Sequence, residues 1–529
     1  MLLSRRSVVG LGLWPCVLLC GLWSNAAFAW QFGGSGPSFG GRQFGTREPQ
    51  TKEPQNATAS LDKRVEQEKT GRELFVRDWS KPHSVLTAKG DGLGPMYNDV
   101  SCVACHQLGG IGGAGNGEKN VRLLHLVGGS GVPLRTAKAG EREIKKRQQV
   151  HPEFVTTTTV LLHRYEWNEG KSDPGYQDWM KKRLPKALVD QNAQQPSNQS
   201  FSNVLATTTR HSPLDSAAGT FRTEGLPVRV TERNTTSLFG AGLIDSIPDA
   251  AIVEQAERQK KQHAPLITGR VPQNASGAIG RFGWRGQVAT LQEFVMTACS
   301  LELGLTVPGH LQAQRVLLSE GKALNFGVQR TVPLEDLNQE QCNALTAYVA
   351  GLSAPKSARA ATLDQAKSIQ RGQALFAKAG CAICHAPDVG SVAGLYSDLL
   401  LHDMGPNLSD PLPAVPELNE QTIPSGVGYY GPVIELVKNI TTNIHQEWRT
   451  PPLWGVASSA PYLHDGRAAT LEQAIQWHGG EGQRAAEAFR ALKPDERRDL
   501  LQFLDSLAAP AENAALRLPR GVGGGVGFF

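Results

Sequence analysis

The chain lacks a surplus of charge of either sign, a long apolar run beyond its first residues, and any abundance of cysteine. Its 529 residues carry 54 Lys and Arg against 49 Asp and Glu, a formal charge of +5. So small a surplus supplies neither a basic footprint for nucleic acid nor a strong pull toward an anionic membrane. Beyond Trp23 no apolar stretch approaches the roughly 20 residues that a bilayer requires, so no membrane span is expected. With 40% hydrophobic residues the chain can bury ordinary cores, and its length suggests more than one domain.

Cysteine is scarce, and each of the eight can be placed. Cys16 and Cys20 fall in a targeting segment. There Arg5-Arg6 precede an apolar run from Val8 to Trp23, and Ala27-Phe28-Ala29 offers a small-x-small cleavage site. Residues 1–29 therefore read as a signal peptide cut near Ala29, which implies a periplasmic or otherwise exported protein.

Four of the other six cysteines form two Cys-x-x-Cys-His boxes, Cys102-Val-Ala-Cys105-His106 and Cys381-Ala-Ile-Cys384-His385. Each reads as an attachment site for haem c: the thiols add across the two vinyl groups, and the adjacent histidine ligates the iron. One box alone could be a redox dithiol or half a zinc site. Two boxes, both ending in His, in an exported chain point to two covalently attached haems. Cys299 and Cys342 are left over. In an oxidising compartment they most simply form a Cys299–Cys342 disulfide; the other reading is two buried free thiols.

The boxes sit in matching frames. Gly71-Arg-Glu-Leu-Phe75 precedes the first, and Gly372-Gln-Ala-Leu-Phe376 precedes the second. The segments Leu345–Pro355 and Leu500–Pro510 align without a gap, each placing apolar residues on one helical face before a proline. Opening helix, box and closing helix make a cytochrome c-like unit, and the repeat predicts two of them. The expected fold is mainly α. It comprises a flexible leader over 30–60, an N-terminal haem domain over 61–355, a C-terminal haem domain over 356–510 and a Gly-rich tail over 511–529. The first copy carries an insertion of about 107–275, read as irregular loops and short strands, with a β-rich run at Thr156–Leu162 and a polar patch at Gln191–Asn203.

Leu471, Ala474, Ile475 and His478 recur at helical spacing, so His478 points inward with the apolar face. Its partner is either an iron or a backbone carbonyl. Met404 is a competing thioether ligand or a core methionine. For the first haem, His125 reads either as a resting-state ligand or as a structural histidine.

Pro461-Tyr-Leu-His464-Asp-Gly-Arg467 followed by Thr470-Leu-Glu-Gln-Ala resembles the C-terminal signature of the di-haem cytochrome c peroxidases and their MauG-type relatives. Three further segments resemble the di-haem oxidoreductase branch: Arg281-Phe-Gly-Trp284-Arg-Gly-Gln-Val288, Leu399-Leu-Leu-His402-Asp-Met404-Gly405, and Glu447-Trp-Arg-Thr-Pro-Pro-Leu-Trp454-Gly455. The resemblance spans residues 71–108 and 276–509 and leaves the insertion out.

It implies that the N-terminal haem binds peroxide, with Glu302 as the distal acid and Trp284 as a relay between the haems. It implies that the position fourteen residues after His464, here His478, is the sixth ligand of the C-terminal haem, where peroxidases have Met and MauG-type enzymes Tyr. With His385 that makes a bis-imidazole haem, of lower potential than a His/Met one. It also implies that His464 and Arg467 pin haem propionates and the local turn. A Ca²⁺ would lie between the haems on backbone oxygens of Ser459 and Pro461 and on an asparagine, for which Asn116 and Asn120 are candidates. The activity implied is reduction of hydrogen peroxide with electrons from an external donor such as a small cytochrome or cupredoxin. The alternatives are a non-enzymatic electron-transfer cytochrome, MauG-like oxidation of a partner protein, and a binding module built around the insertion.

Overall fold

Both repeats are built on one kind of helix crossing. The computed structural model describes residues 55–80, 92–127 except 95, 141–151, 154, 159–168, 171–173, 180, 182, 220–310 except 275, 335–355, 360–410, 423–428, 431–435 and 444–510. In the first repeat the opening helix is Gln55–Val76 and the closing helix Gln339–Gly351; in the second they are Leu363–Lys378 and Pro494–Asp505. A Cβ at Gly71 would collide with the Ala344 carbonyl oxygen and Tyr348 Cβ, and one at Gly372 with the Asp499 carbonyl oxygen and Phe503 Cβ. Only glycine lets two backbones come so close. One turn further on, Phe75 packs on Tyr348 at 5.4 Å between ring centroids, and Phe376 packs on Phe503 at 5.3 Å. The same phenylalanines reach the box histidines, Phe75 to His106 at 6.4 Å and Phe376 to His385 at 6.3 Å. The repeat in sequence is a repeat in space.

Helix ends follow their local chemistry. Asn338 and Gln341 form a reciprocal capping box, and Thr362, Thr290 and Ser101 each accept a backbone N–H from the first turn of the helix they begin. The first helix starts at Gln55, so the last residues assigned to the leader are helical. Two separate cores result. One contains Phe75, Leu345 and Tyr348, the other Phe376, Phe489 and Phe503. From Asn56 onward the chain forms one compact unit around them.

Among the described residues the inserted segment carries short strands, as expected, and helices besides. Strands β1 (Met96–Tyr97), β2 (Val121–Leu126), β3 (Thr159–Leu162), β4 (Tyr165–Asn168), β5 (Lys171–Asp173), β6 (Thr220–Thr223) and β7 (Leu226–Arg233) make two antiparallel sheets, ordered β3-β2-β7-β6 and β1-β4-β5. The larger sheet buries Leu124, Leu126, Val160, Leu162, Val228 and Val230 in a third core. The segment then becomes helical over Asp249–His263, and its Leu238, Ile244 and Ile252 join the first core. The expected β-rich run is strand over its Thr159–Leu162 half. The signal peptide, the leader up to residue 54, the polar patch at 191–203 and the Gly-rich tail lie outside the described residues. Among the described residues no helix is long and apolar enough to cross a membrane.

The Cys299–Cys342 disulfide is not formed. Both residues are free and buried on the packed helices Leu291–Glu302 and Gln339–Gly351. Burial holds the Cys299 thiol well above its ordinary value and pushes Cys342 up to about 11. Bridging needs a thiolate, and here each sulfur behaves as a small apolar side chain within the first core.

Replacing Gly372 by Ala tests the crossing. In an open helix that change gains about 1 kcal/mol. Here overpacking should reverse the sign and cost about 1–3 kcal/mol, read as a lower denaturant midpoint. A raised midpoint would show that the helices can part cheaply.

Candidate di-haem site

Each box histidine is tethered through one ring nitrogen. His106 Nδ1 lies 3.1 Å from the Gly113 carbonyl oxygen, and His385 Nδ1 lies 3.0 Å from that of Tyr396. A carbonyl can only accept, so Nδ1 carries the hydrogen and Nε2 is the nitrogen left for a metal. Tyr396 holds its carbonyl there from a left-handed backbone, φ 51°, a strained setting for a tyrosine. Burial lowers both histidines to about 4, with the carbonyls opposing; both rings are neutral near neutral pH, the form a metal would require. Burial also pushes Cys102 and Cys381 up to about 12. Such thiols are poor redox nucleophiles, which counts against the dithiol reading.

His478 comes to the second box as the helical spacing requires. It follows the helix Leu471–Gln476, which Thr470 caps, and its Nδ1 lies 2.8 Å from the Ala474 carbonyl oxygen. The carbonyl reading of its partner is therefore met at Nδ1, which leaves Nε2 as the nitrogen available to a metal. The His385 and His478 rings face each other at 6.4 Å between centroids, tilted by 54°. Two metal–imidazole bonds of about 2 Å each, plus the half-widths of the rings, require about 6 Å, so a metal fits between them. Met404 stands beside this pair: its Cε and the His478 ring converge on the space above Gly482.

His402 lies behind the second box. Its Nε2 is 2.9 Å from Asp398 Oδ2, its Nδ1 is 2.5 Å from Glu481 Oε2, and Nδ1 is also 3.7 Å from Cys384 Sγ. Cys384, Asp398 and His402 form the one group among the described residues with metal-like ligand spacing. Carboxylates occupy both ring nitrogens, however, and Cys384 belongs to the box. The group is better described as a clamp. Asp398 N–H donates to the Cys384 carbonyl, Gln259 braces Asp398 at 3.0 Å, and Glu481 lies three residues past His478. Burial works against charge on His402, but Asp398 and then the Cys384 sulfur outweigh it, and the ring is held well above its ordinary value.

At the first box the sequence candidates separate. His125 is structural: its Nδ1 meets Thr159 Oγ1 at 3.1 Å and its Nε2 meets Thr231 Oγ1 at 2.7 Å, across the β3-β2-β7 sheet. Glu302 ends the helix Leu291–Glu302 within electrostatic reach of Cys105. Its Oε2 accepts from Asn98 Nδ2 at 2.7 Å, while its Oε1 is buried with no partner. Burial raises its carboxyl to about 7, with Asn98 and Arg164 opposing.

Trp284 donates from Nε1 to the Asn234 carbonyl at 2.9 Å and meets the His464 ring edge-on at 6.5 Å. His464 in turn stacks on Trp448, centroids 3.7 Å apart and planes 12° off parallel. Arg285 and Arg233 lie over Trp448 at 4.2 and 5.0 Å, and both pair with the buried Asp410. Trp284 also lines a cleft with Asn234, Arg281, Arg449, Trp454 and Pro461. Arg467 donates to Asp465 Oδ2 at 2.7 Å and to the Asn407 carbonyl at 2.6 Å, so it pins the turn. Of the calcium candidates, Asn120 has its amide engaged by Glu232, Asp465 and Asn234, whereas Asn116 Oδ1 is buried without a partner. Gly117, next along, faces Pro461; Ser459 turns its hydroxyl to the Val456 carbonyl. The sequence reading gave no role to Asn98, Asp398, His402, Trp448 or Glu481. His402 and Trp448 stood inside quoted motifs, but Asn98 carried no signal of its own.

The geometry agrees with what the chain is similar to. The family model described as "Di-haem oxidoreductase, putative peroxidase" matches residues 44–416 and 439–507. The chain belongs to this family. The match runs through the inserted segment, which the motif resemblance had left out. The methylamine utilization protein MauG of Methylorubrum extorquens is 31% identical over 157 residues, 28% of this chain and 37% of that protein. The cytochrome-c peroxidase IdrP1 of a Pseudomonas species is 30% identical over 160 residues, 27% of this chain and 40% of that protein. The chain thus spans well under half the length of these curated relatives. A structure of hydrazine synthase from Kuenenia stuttgartiensis is 20% identical, covering 52% of this chain and 72% of that one; at a TM-score of 0.27 it carries no weight for the fold.

Removing the clamp's centre tests its charge. His402→Leu takes the cation away from the fully buried Asp398 and the part-buried Glu481 and should cost about 3–5 kcal/mol of stability. The folded His402 value is raised, so its contribution is full below the unfolded value of about 6.5 and is lost as pH climbs through the folded value. The difference in denaturant midpoint between wild type and variant should be largest in mild acid and narrow toward alkaline pH. A difference independent of pH would mean the imidazole is neutral.

Proposed function

We propose that this di-haem oxidoreductase reduces hydrogen peroxide at the N-terminal haem, with electrons entering from an external donor such as a small cytochrome or cupredoxin. The observation that carries the reading is Glu302: a buried carboxyl beside the first box, one oxygen held by Asn98 and the other without a partner. Haem iron, when bound through Cys102, Cys105 and His106, supplies the redox chemistry. Glu302 handles the proton. As carboxylate it takes the proton from one peroxide oxygen and, as acid, returns it to the other, so that O–O cleavage releases water rather than hydroxide. Two electrons and two protons complete the reduction to two waters. His385 and His478 would hold the iron of the second haem, which would supply electron exchange with the donor. Ser459, Pro461 and the unpartnered Asn116 oxygen are the proposed calcium ligands. The chain works after export and signal-peptide removal near Ala29.

The engagement of both His125 nitrogens by threonines favours an open first iron over a purely electron-carrying pair. One observation favours a second reading, oxidation of a partner protein: the ring series Trp284, His464 and Trp448 offers an aromatic path. The two guanidiniums over Trp448 oppose a positive hole on that ring, so Trp284 is the residue on which such a path would depend.

In the wild type, kcat/KM for peroxide should fall about tenfold per pH unit below about 7, where Glu302 becomes protonated. Glu302→Gln should lower kcat/KM by roughly 10²–10⁴ and abolish that inflection. A variant that keeps both rate and profile would end the acid–base reading. Separately, low-temperature EPR of ferric wild type should show one high-spin and one low-spin haem, and His478→Met should alter only the low-spin signal. An unaltered signal would move Met404 into the ligand position.

A further inference from the structure

The inserted segment reaches the helix that ends in Glu302 through the corner between β3 and β4. Four independent contacts fix it there. Strand β4 pairs antiparallel with β1, Met96 opposite Glu166 and Tyr97 opposite Tyr165. The Tyr97 and Tyr165 rings stack at 5.3 Å and 28°. His163 Nε2 lies 2.9 Å from the Leu301 carbonyl oxygen. Arg164 N–H donates to Asn98 Oδ1 at 3.1 Å. Asn98 in turn donates its backbone N–H to the Glu302 carbonyl at 2.7 Å and its side-chain NH₂ to Glu302 Oε2 at 2.7 Å. The corner therefore grips both of the last two residues of the helix that ends in Glu302.

The sense of these bonds is forced. A backbone N–H can only donate, so Arg164 requires the oxygen of the Asn98 amide. The NH₂ end must then face Glu302, and Glu302 Oε2 can only accept. When the carboxyl is protonated, the bond from Asn98 favours Oε2 as the carbonyl oxygen, the better acceptor, and so favours the hydrogen on Oε1, the oxygen that is buried and unpartnered. With Asn98 reversed, the proton would be drawn to Oε2 and spent on the amide oxygen.

We propose that the corner and strand at His163–Asn168 of the inserted segment are the distal cap of the peroxide site, and that Asn98 is the positioning residue through which they fix Glu302 with the exchangeable proton on Oε1, facing the substrate. This rests on the role given to Glu302 above. The other charged or titratable groups around Glu302 are few. Arg164 is held by the Asn120 carbonyl at 2.9 Å, Asp99 is paired with Lys119 at 2.5 Å beside Cys105, and burial keeps His163 at about 4 and therefore neutral. Asn98 is accordingly the contact through which the cap acts directly on the carboxyl.

Cyanide is a suitable probe, because HCN must give up its proton to a nearby base as it binds an open haem. In the intact holoprotein the cyanide association rate should show an inflection near 7. Infrared difference titration should follow the carboxyl C=O band of Glu302 through the same range. Asn98→Leu removes both bonds and should slow association about tenfold, move the inflection to higher pH because the charged form loses its donor, and shift the C=O band. Tyr165→Ser removes an exposed ring, leaves the core intact, and should move both readouts the same way by less. A merely structural role would lower the unfolding temperature and leave inflection and band in place; that result in both variants overturns the cap. Glu302→Gln separates the failures. If it abolishes the inflection while the Asn98 and Tyr165 variants do not move it, the cap is wrong and the acid–base role stands. If it leaves rate and inflection unchanged, the acid–base role falls and the cap with it.

Discussion

Two helices can meet with a carbonyl oxygen of one against a Cα of the other only where a side chain is missing. Gly71 and Gly372 provide that, and much of the haem-bearing architecture depends on it. The close crossing puts Phe75 and Phe376 at matching heights, and each lies against the histidine of its own box. Each histidine is then turned by a carbonyl, Gly113 or Tyr396, so that one nitrogen remains for a metal. Backbone contact, aromatic wall and tautomer form one sequence of causes, used twice.

The two halves part on what lies beyond the box. In the second, apolar spacing along a short capped helix brings His478 opposite His385, and a buried His402 between two carboxylates ties the turn after His478 to the box. Both nitrogens of that imidazole meet carboxylates, so the network leaves none of its groups free for a ligand. In the first, no described histidine with a free nitrogen faces the box. A half-satisfied carboxyl stands there instead. A buried oxygen without a partner is costly in a folded protein, and its persistence at Glu302 is more readily understood as a demand of chemistry than of stability.

The two boxes, the paired helix frames and the inward direction of His478 were legible because each is written in local spacing: two residues between thiols, a period near 3.6, a capping threonine. Glu302 and Trp284 were legible only through family motifs. Asn98, Asp398 and Glu481 were not legible at all, since their roles arise from hydrogen bonds between residues up to 204 positions apart. The pairing of the strands in the inserted segment was hidden for a related reason. Its sheets pair strands across long gaps, and the helix at 249–263 follows stretches of weak pattern, so local composition suggested loops. The disulfide failed on burial, because two cysteines in an apolar core have no need of each other.

Those free thiols have a further consequence, for assembly. Cys299 lies close enough to Cys102 for the two sulfurs to influence each other's charge. Burial holds both thiols in the protonated form, so a chain that folded before haem arrived would keep Cys102 a poor nucleophile. Attachment at the first box would then be easier before this core closes, and the order of events during maturation would matter as much as the final fold. Cys299 itself serves as packing in the first core.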